Sequence, residues 1–315
     1  MSVKRIAVIG ATGAQGGGLA RTILADPAGG FSVRALTRKT TSDAALALSR
    51  GGAEVLEADL DSVESLVAAF TGAHGVFAVT NFWEHFSAEK ELQQAINIAE
   101  AAKRTGVRHV VWSTLEDTRR FMSLDDPRMP TLHGKYKVAH LDAKGEADAE
   151  FTKRDVPTTN LLTSFYWENF IHFGMGPAKG EDGVLGITFP MGDKPLAGIA
   201  VEDIGRAAAA IFAAGDTWIG KTVGIASDHL TGQEMAAAFS DALGVPVRYN
   251  EISPDVYRTF PFPGAEDLGN MFQFFRDFHD SVTAARPLAA TRALVPGVQT
   301  FREWLAINAA RTTVG

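Results

Sequence analysis

A glycine-rich turn near the start of the chain constrains the possible folds more than any other feature of the sequence. Gly10, Gly13 and Gly16 follow the apolar run 6–9 and lie at the start of a segment of helical composition. Glycine at this spacing allows a tight turn, a close approach of the backbone to a pyrophosphate, and close packing of a helix on a strand. The first N–H groups of that helix attract phosphate oxygens. We therefore predict a strand, a phosphate-binding turn and a helix in this order.

The first half of the chain alternates predicted strands with predicted helices. Strands are predicted at residues 5–10, 32–37, 53–57, 75–79 and 107–112. Helices are predicted at residues 14–24, in a segment that ends at Phe70, and at residues 87–103. Asp61 and Glu64 resemble a capping pair for the second of these helices. The alternation predicts the α/β class, with a Rossmann-type doubly wound parallel sheet and a smaller C-terminal α/β domain.

The sequence changes character after about residue 160. Residues 164–198 are rich in glycine, proline and aromatic side chains and show little periodicity. Three local signals predict the starts of later helices: Thr231 with Glu234, Ser253 with Pro254, and Thr300 with Glu303. We predict a Rossmann domain over residues 1–160, to which residues 196–228 return. A smaller domain for substrate or partner binding is predicted over residues 161–195 and 229–315.

Charge and cysteine content exclude several classes of function. The chain has 30 lysines and arginines against 37 acidic residues, a net charge of −7, which disfavours direct binding to nucleic acid. It has no cysteine, which excludes a disulfide scaffold, a thiolate metal site and a cysteine nucleophile. No apolar stretch of the sequence reaches the length of a membrane span, so a cytoplasmic protein without membrane contact is expected. The histidines show no metal-ligand spacing, and His109, inside a predicted strand, is expected to be structural.

The residues after the second predicted strand indicate which dinucleotide the turn would bind. An acidic residue there would bind the ribose 2′-hydroxyl of NAD, but the chain has Arg38 and Lys39 and no carboxylate until Asp43. The guanidinium fork of Arg38 suits a 2′-phosphate, so NADP(H) is the predicted cofactor. The alternative is that Arg38 and Lys39 form a solvated basic pair. Asp59, after the third strand, could contact the adenine edge or start a helix.

Several longer segments point to a known family. The chain resembles the NmrA-like family, atypical members of the short-chain dehydrogenase/reductase superfamily, in residues 10–17, 79–84, 140–146, 166–169 and 262–272. These segments extend over essentially the whole chain. The resemblance implies an extended Rossmann domain, a smaller C-terminal α/β domain, and NADP(H) as the bound cofactor.

The resemblance also implies which residues contact the cofactor. By position in the family's motifs these are Gly10, Thr12, Gly13, Ala14 and Gln15 at the pyrophosphate, Arg38 at the 2′-phosphate, Asp59 and Leu60 at the adenine, Thr80, Asn81 and Phe82 in the loop after the fourth strand, Lys144 at the nicotinamide-side ribose, and Tyr166, Trp167, Glu168 and Asn169 along the nicotinamide. The sequence itself adds Gly16, the third glycine of the turn, at the pyrophosphate, and Lys39, a second basic residue, beside Arg38. The chain departs from a relative at two places. Residues 40–42 are Thr, Thr and Ser where the relative has basic residues, and Gln93 stands where it has a lysine.

The proposed catalytic residues are unusual for the superfamily. Its active enzymes use a Ser or Thr with a Tyr-x-x-x-Lys pair, in which the tyrosine passes a proton to the substrate. Here Ser113 matches the serine, but His140 stands one helical turn before Lys144 in place of the tyrosine. The candidate catalytic residues are therefore Ser113, His140 and Lys144, with Tyr166 as a further side chain that could reach the nicotinamide.

Two functions remain open at this point. The resemblance and the missing tyrosine favour an NADP(H)-binding redox sensor or regulator that acts on a protein partner. The alternative is an NADPH-dependent reductase of a small apolar or aromatic substrate, such as a quinone, enone or imine. Six aromatic side chains could line an apolar substrate pocket or belong to the ordinary core: Trp83, Phe86, Phe165, Trp167, Phe170 and Phe173. A homodimer is compatible with either function.

Overall fold

Strands and helices alternate along the first half of the chain in the computed structural model, which describes residues 3–312. The strands are β1 (Lys4–Val8), β2 (Phe31–Thr37), β3 (Glu54–Glu57), β4 (Gly75–Ala78), β5 (His109–Thr114), β6 (Thr158–Leu162), β7 (Phe165–Tyr166), β8 (Ala178–Lys179), β9 (Leu185–Phe189), β10 (Leu196–Ile199), β11 (Thr222–Gly224), β12 (Asp228–Leu230) and β13 (Val247–Glu251). The helices are α1 (Ala14–Ala25), α2 (Asp43–Arg50), α3 (Val63–Phe70), α4 (Ala88–Thr105), α5 (Ala139–Lys153), α6 (Asn169–His172), α7 (Val201–Ala213), α8 (Gly232–Leu243), α9 (Pro254–Arg258), α10 (Ala265–Asp277), α11 (His279–Ala284), α12 (Leu288–Leu294) and α13 (Phe301–Asn308). Within residues 3–312, no helix is both long enough and apolar enough to span a bilayer.

The chain forms two compact units. The first contains the chain up to Asp117 together with His140–Thr163 and Val201–Val223. The second contains Thr118–Ala139, Ser164–Ala200 and the chain from Gly224 onward. Each unit is therefore built from segments that are distant in the sequence.

A seven-stranded sheet is the centre of the first unit. Its strand order is β11-β6-β5-β4-β1-β2-β3, and the neighbours from β6 to β3 run parallel. The central strands β4 and β5 are buried along their whole length, as expected for parallel strands covered by helices on both faces. The strand order reverses between β1 and β4, which is the position where doubly wound sheets bind ligands. These observations confirm the predicted fold class.

One predicted helix cap is wrong. Helix α3 is capped by Ser62, whose hydroxyl accepts the N–H of Ser65 at 3.2 Å, and not by Asp61. The Asp61 carboxylate instead accepts a hydrogen bond from Gln94 at 2.9 Å and pairs with Lys90 at 2.9 Å. Both partners belong to α4, so a contact between helices has taken the carboxylate that the local sequence pattern assigned to the cap.

The helix starts that the sequence predicted in the second half of the chain are confirmed. Thr231 with Glu234, and Thr300 with Glu303, each form a complete capping box, and Ser253 caps a helix whose first residue is Pro254. Each of these caps depends on side chains within four residues of one another. Local sequence is therefore sufficient to predict them.

Helices α1 and α7 cross closely in the first unit, and two glycines permit this crossing. A Cβ atom on Gly205 would lie 2.2 Å from the carbonyl carbon of Gly18 and 2.2 Å from the amide nitrogen of Leu19. A Cβ atom on Gly18 would in turn lie 3.0 Å from the carbonyl oxygen of Val201. The glycine run at the start of α1 therefore serves helix packing as well as the turn that precedes the helix.

The second unit contains two three-stranded sheets, β12-β10-β7 and β13-β9-β8. Its interior is strongly aromatic. The fully buried indole of Trp167 lies over Gly198, where a Cβ atom would come within 2.0 Å of the ring, and packs against Phe301 with 4.7 Å between ring centroids. Phe165 and Phe170 are also buried. These side chains form ordinary core, which is one of the two alternatives that the sequence left open.

Residues 262–272, part of the family resemblance, have a structural role within the second unit. The Asp267 carboxylate accepts the N–H of Ala139 at 2.5 Å, at the first residue of α5. The Asn270 side chain donates to the carbonyl oxygen of Pro130 at 2.9 Å. These bonds attach α10 to the segment that leads into α5, because a buried backbone group needs a hydrogen-bond partner.

His109 is buried in β5, as the sequence predicted. Its side chain is 3% exposed, its Nε2 lies 2.8 Å from the Thr159 hydroxyl, and its ring packs edge-on against Phe212 at 5.3 Å. Burial disfavours the charged imidazolium and lowers the pKa of His109 to about 4. The folded protein therefore holds this ring neutral.

We expect His109 to make the folded state less stable in mild acid. Below about pH 6.5 the unfolded chain binds a proton at His109 that the folded chain excludes until about pH 4, so stability falls across this window as pH falls. The loss approaches about 1.4 kcal/mol per pH unit. Urea unfolding from pH 7 to pH 4 should show a shallower pH dependence in His109→Gln than in wild type, whereas the exposed His172→Gln should match wild type. Identical slopes in all three proteins would contradict this account.

Candidate functional site

The glycine-rich turn has the geometry that a phosphate-binding loop needs. Gly10 has a positive φ of 64°, and the N–H of Gly13 donates to its carbonyl oxygen at 2.8 Å, which closes a tight turn. A Cβ atom on Gly16 would lie 2.5 Å from the carbonyl oxygen of Ile9 and 2.6 Å from that of Gly10. The other predicted residues of the turn differ in exposure: Thr12, Gly13 and Ala14 are exposed, and Gln15 is buried. The turn therefore leaves its backbone accessible at the carboxyl end of β1.

The N-terminus of α1 differs from those of α2, α3 and α4, the next three helices of the chain. Its N-cap residue is Gly13, and no side chain among the described residues caps it. Ser42, Ser62 and Ser87 cap α2, α3 and α4 with their hydroxyl groups. The first N–H groups of a helix need an acceptor from outside the helix. At α1 a phosphate group can supply that acceptor, which fits a dinucleotide at this turn.

Arg38 lies just after β2 and is paired within the protein. Its guanidinium group donates to the carboxylate of Glu84, the last residue of a short 3-10 helix, Phe82–Glu84. The Arg38 side chain is 71% exposed and that of Glu84 is 45% exposed, so the pair lies at the surface. Lys39 is exposed beside it, and its N–H donates to the Thr37 hydroxyl at 3.3 Å. The two predicted 2′-phosphate residues are therefore adjacent and accessible.

Asp59 and Leu60, the predicted adenine contacts, follow β3 in the same unit. The Asp59 carboxylate accepts the N–H of Asp61 at 2.9 Å, and the Leu60 carbonyl oxygen accepts from Asn97 at 2.8 Å. The Asp59 side chain is exposed. These local bonds fix the shape of the loop, and any contact with adenine stays a prediction.

Lys144 is held in a buried polar network. Its ammonium group lies 2.8 Å from the Thr80 hydroxyl, 3.2 Å from the Thr80 carbonyl oxygen and 3.1 Å from Glu91 Oε1. The ammonium group also lies 5.0 Å from the centre of the Trp112 ring. An ammonium group has three N–H donors, and all three have acceptors here. Lys144 can hold a ribose hydroxyl only by exchanging one of these partners.

Glu91 is the functional candidate that the sequence analysis missed. Its side chain is fully buried, and its Oε1 accepts hydrogen bonds from both Thr80, at 2.5 Å, and Lys144. Its Oε2 is buried with no hydrogen-bond partner among the described residues. The only sequence signal was a glutamate at a buried position of the amphipathic helix α4, where an apolar residue is usual.

His140 lies at the start of α5 and is packed among aromatic rings of the first unit. Its side chain is 6% exposed, and its ring centroid lies 4.9 Å from that of Trp83 and 5.9 Å from that of Phe82. Phe86 contacts both of these aromatic residues, is 43% exposed and has a positive φ of 54°. A bulky residue in this conformation is strained, which is common at functional sites. Phe82, Trp83, Phe86 and His140 therefore form an aromatic cluster that reaches the surface at Phe86.

The other predicted residues of the first unit are placed as follows. Ser113 is 1% exposed in β5, where it pairs with Leu161 of β6. Asn81 is exposed and is the N-cap residue of the Phe82–Glu84 turn. The structure thus brings all the predicted cofactor-binding and catalytic residues before Tyr166 into one unit.

The predicted segment from Tyr166 to Asn169 belongs to the second unit. Tyr166 pairs with Ile199 in the sheet, and Asn169 begins α6. The Trp167 indole donates to the Ser227 hydroxyl at 3.3 Å, and the Glu168 carboxylate accepts from the Trp304 indole at 2.9 Å; both bonds lie inside this unit. The side chains of Trp167 and Glu168 thus have structural partners, and a nicotinamide contact for the segment stays a prediction.

The protein is a Rossmann-type protein of the dinucleotide-binding class. This follows from the strand order of the sheet, the reversal of that order beside β1, and the glycine turn at the start of α1. The chain belongs to the NmrA-like family, whose sequence profile matches residues 2–305. This match confirms the resemblance that the sequence segments indicated.

Proteins of known structure or name extend this comparison. The chain is 30% identical over 309 residues to the NmrA-like family domain-containing oxidoreductase FrzB of Cladobotryum sp., covering 91% of this chain and 88% of that protein. It is 25% identical to the crystal structure of NmrA, a negative transcriptional regulator, in complex with NADP, with a TM-score of 0.78 over 98% of this chain and 95% of that one. The triphenylmethane reductase of Citrobacter sp., complexed with NADP(H), shares the fold with a TM-score of 0.74 at 20% identity, over 97% of this chain and 99% of that one.

Proposed function

We propose that the protein is an NADP(H)-dependent oxidoreductase that reduces a small apolar or aromatic substrate. The observation that carries the proposal is His140, which stands one helical turn before Lys144 and is packed against Trp83 in a partly exposed aromatic cluster. The near full-length likeness to FrzB, which is named an oxidoreductase, supports the same class of function.

The residues of the first unit fit NADP(H). The uncapped, glycine-lined start of α1 suits the pyrophosphate, and the exposed guanidinium of Arg38 suits the 2′-phosphate. The likeness to NmrA, which was solved with NADP, supports this assignment. When bound, NADPH supplies a hydride, which is chemistry of the cofactor and not of the protein.

His140 is the proposed proton donor for a substrate that needs one. Reduction of a carbonyl or a neutral imine adds a hydride to carbon and a proton to the oxygen or nitrogen that takes the electron pair. An imidazolium N–H can give that proton, which leaves a neutral imidazole that takes up a proton from solvent. Lys144 cannot replace it in the observed arrangement, because its three N–H groups bind Thr80 and Glu91. Because Lys144 does not assist His140, the site suits substrates that accept hydride readily and need little acid catalysis, such as quinones, enones and imines.

The test is NADPH consumption across a panel of quinones, enones and imines. We expect His140→Ala to lower kcat/KM by roughly tenfold, with the loss in kcat and little change in NADPH affinity. His140→Gln, whose amide N–H can hydrogen-bond but cannot transfer a proton, should lose activity as well. The exposed His172→Ala is the matched control and should equal wild type. No turnover of any substrate, or a His140→Ala variant as fast as wild type, would contradict the proposal.

A redox sensor acting on a protein partner is the second candidate. It is favoured by the full engagement of Lys144 and by the histidine at the position of the proton-donating tyrosine. A sensor should change conformation or assembly between NADPH and NADP+. Limited proteolysis and sedimentation in the presence of each form test this. Identical digestion patterns and identical oligomeric states with both forms would exclude it.

A further inference from the structure

We propose that Glu84 determines the preference of the site between NADP(H) and NAD(H), by competing with the 2′-phosphate for Arg38. The inference rests on the proposed cofactor and concerns a residue that was not among the predicted site residues. Glu84 follows the aromatic residues Phe82 and Trp83 in the turn after β4. Its carboxylate is bound to the Arg38 guanidinium, the group that the 2′-phosphate would bind.

The competition follows from the chemistry of the guanidinium group. Carboxylate and phosphate oxygens bind the same N–H fork, and a phosphate monoester carries nearly two negative charges against one. A 2′-phosphate at Arg38 must therefore displace Glu84 or lie directly against its negative charge. The ribose 2′-hydroxyl of NAD(H) requires neither, so Glu84 selectively weakens the binding of the phosphorylated cofactor.

The charges around Glu84 make Arg38 its main partner. Lys90 is a second cation near Glu84, but its ammonium group is paired with Asp61 at 2.9 Å. Asp61 is the main cause of the raised pKa of Lys90, and Glu84 and Asp59 contribute less. Lys39 is the remaining basic residue beside Arg38, because residues 40–42 are Thr, Thr and Ser. Because Arg38 and Lys39 are the basic residues of this segment, the negative charge of Glu84 cancels a large part of the positive charge that would attract a 2′-phosphate.

The pair is also weak enough to be exchanged. Both side chains are well exposed, at 71% for Arg38 and 45% for Glu84, and exposed ion pairs contribute little net stability. Removing the carboxylate should therefore change cofactor affinity without unfolding the protein. The expected gain in NADPH affinity is roughly three- to fivefold.

The experiment compares dinucleotide binding to Glu84→Gln and to wild type by isothermal titration calorimetry. We expect Glu84→Gln to bind NADPH roughly three- to fivefold more tightly and NADH within about twofold of wild type. The affinity for adenosine 2′-monophosphate should rise in Glu84→Gln by the same factor as that for NADPH. The affinity for adenosine 5′-monophosphate should not change. Arg38→Gln should lose NADPH affinity and keep NADH affinity.

Glu64→Gln is the matched control, because Glu64 is an exposed glutamate of the same unit bound to a different arginine, Arg104, at 2.6 Å. It removes the same charge from the unit and should leave both affinities unchanged. Equal gains for NADPH and NADH, or no gain in Glu84→Gln, would overturn the inference while leaving the proposed function intact. If wild type binds neither dinucleotide, the proposed function itself fails.

Discussion

Replacing Glu91 with leucine is expected to lower the free energy of unfolding by about 3–5 kcal/mol. The substitution leaves the ammonium group of Lys144, which is 9% exposed, without its counter-ion in the interior of the first unit. Thr80 still offers two oxygen atoms, but neither is charged. A buried charge that has lost its partner is far more costly than the pair was beneficial, because water cannot replace the lost interaction.

A double-mutant cycle separates the interaction energy between Glu91 and Lys144 from the effect of each single substitution. Lys144→Met alone should cost several kcal/mol as well, since it leaves the buried Glu91 carboxylate unpaired. The double variant Glu91→Leu/Lys144→Met removes both charges and should recover most of the loss. Urea unfolding of the four proteins measures the coupling energy. Glu64→Gln, which breaks an exposed pair, should change stability by less than about 1 kcal/mol. Additive losses in the double variant would contradict the account.

The buried pair also changes the chemistry open to Lys144. In a Tyr-x-x-x-Lys site a lysine cation favours the ionised tyrosine and lowers its pKa. Here the cation is neutralised by Glu91, and the residue one turn earlier is His140. Lys144 therefore positions the loop at Thr80, and the proposed proton donor is a different residue.

The sequence predicted those parts of the molecule that depend on residues close together in the chain. The glycine turn, the order of strands and helices in the first half, and the capping boxes at Thr231 and Thr300 are all determined by short-range sterics and hydrogen bonding. The error at Asp61 shows the limit of this reasoning. Its carboxylate had a plausible local use, but contacts with Gln94 and Lys90 of α4 determined where it lies.

The charged residues of the candidate site could not be predicted in the same way. Arg38 and Lys144 were identified from their positions after a strand and in a family motif, but their partners Glu84 and Glu91 were not. Each partner comes from a different element, and only the folded sheet brings the two charges together. Most glutamates are exposed to solvent, so the sequence alone does not distinguish Glu84 or Glu91 from the other glutamates of the chain.

Gly16→Ala is expected to weaken NADPH binding by at least tenfold and to destabilise the protein by about 2 kcal/mol. The added Cβ atom would lie 2.5 Å from the carbonyl oxygen of Ile9 and 2.6 Å from that of Gly10. Both are backbone atoms of the turn that follows β1, so they cannot move aside as a flexible side chain can. Relief requires α1 to shift away from β1, and that movement displaces the N–H groups that would face the pyrophosphate.

The neighbouring Gly17→Ala is a stringent control for this prediction. Its Cβ atom would meet the end of the Arg21 side chain at 3.1 Å and the Ala11 carbonyl oxygen at 3.3 Å, which are milder and partly flexible contacts. Alanine favours a helix over glycine by about 1 kcal/mol, which offsets the crowding. Gly17→Ala should therefore bind NADPH like wild type and unfold at a similar urea concentration. Equal NADPH affinities and equal unfolding midpoints for the two alanine variants would show that the close contact at Gly16 does not determine the conformation of the turn.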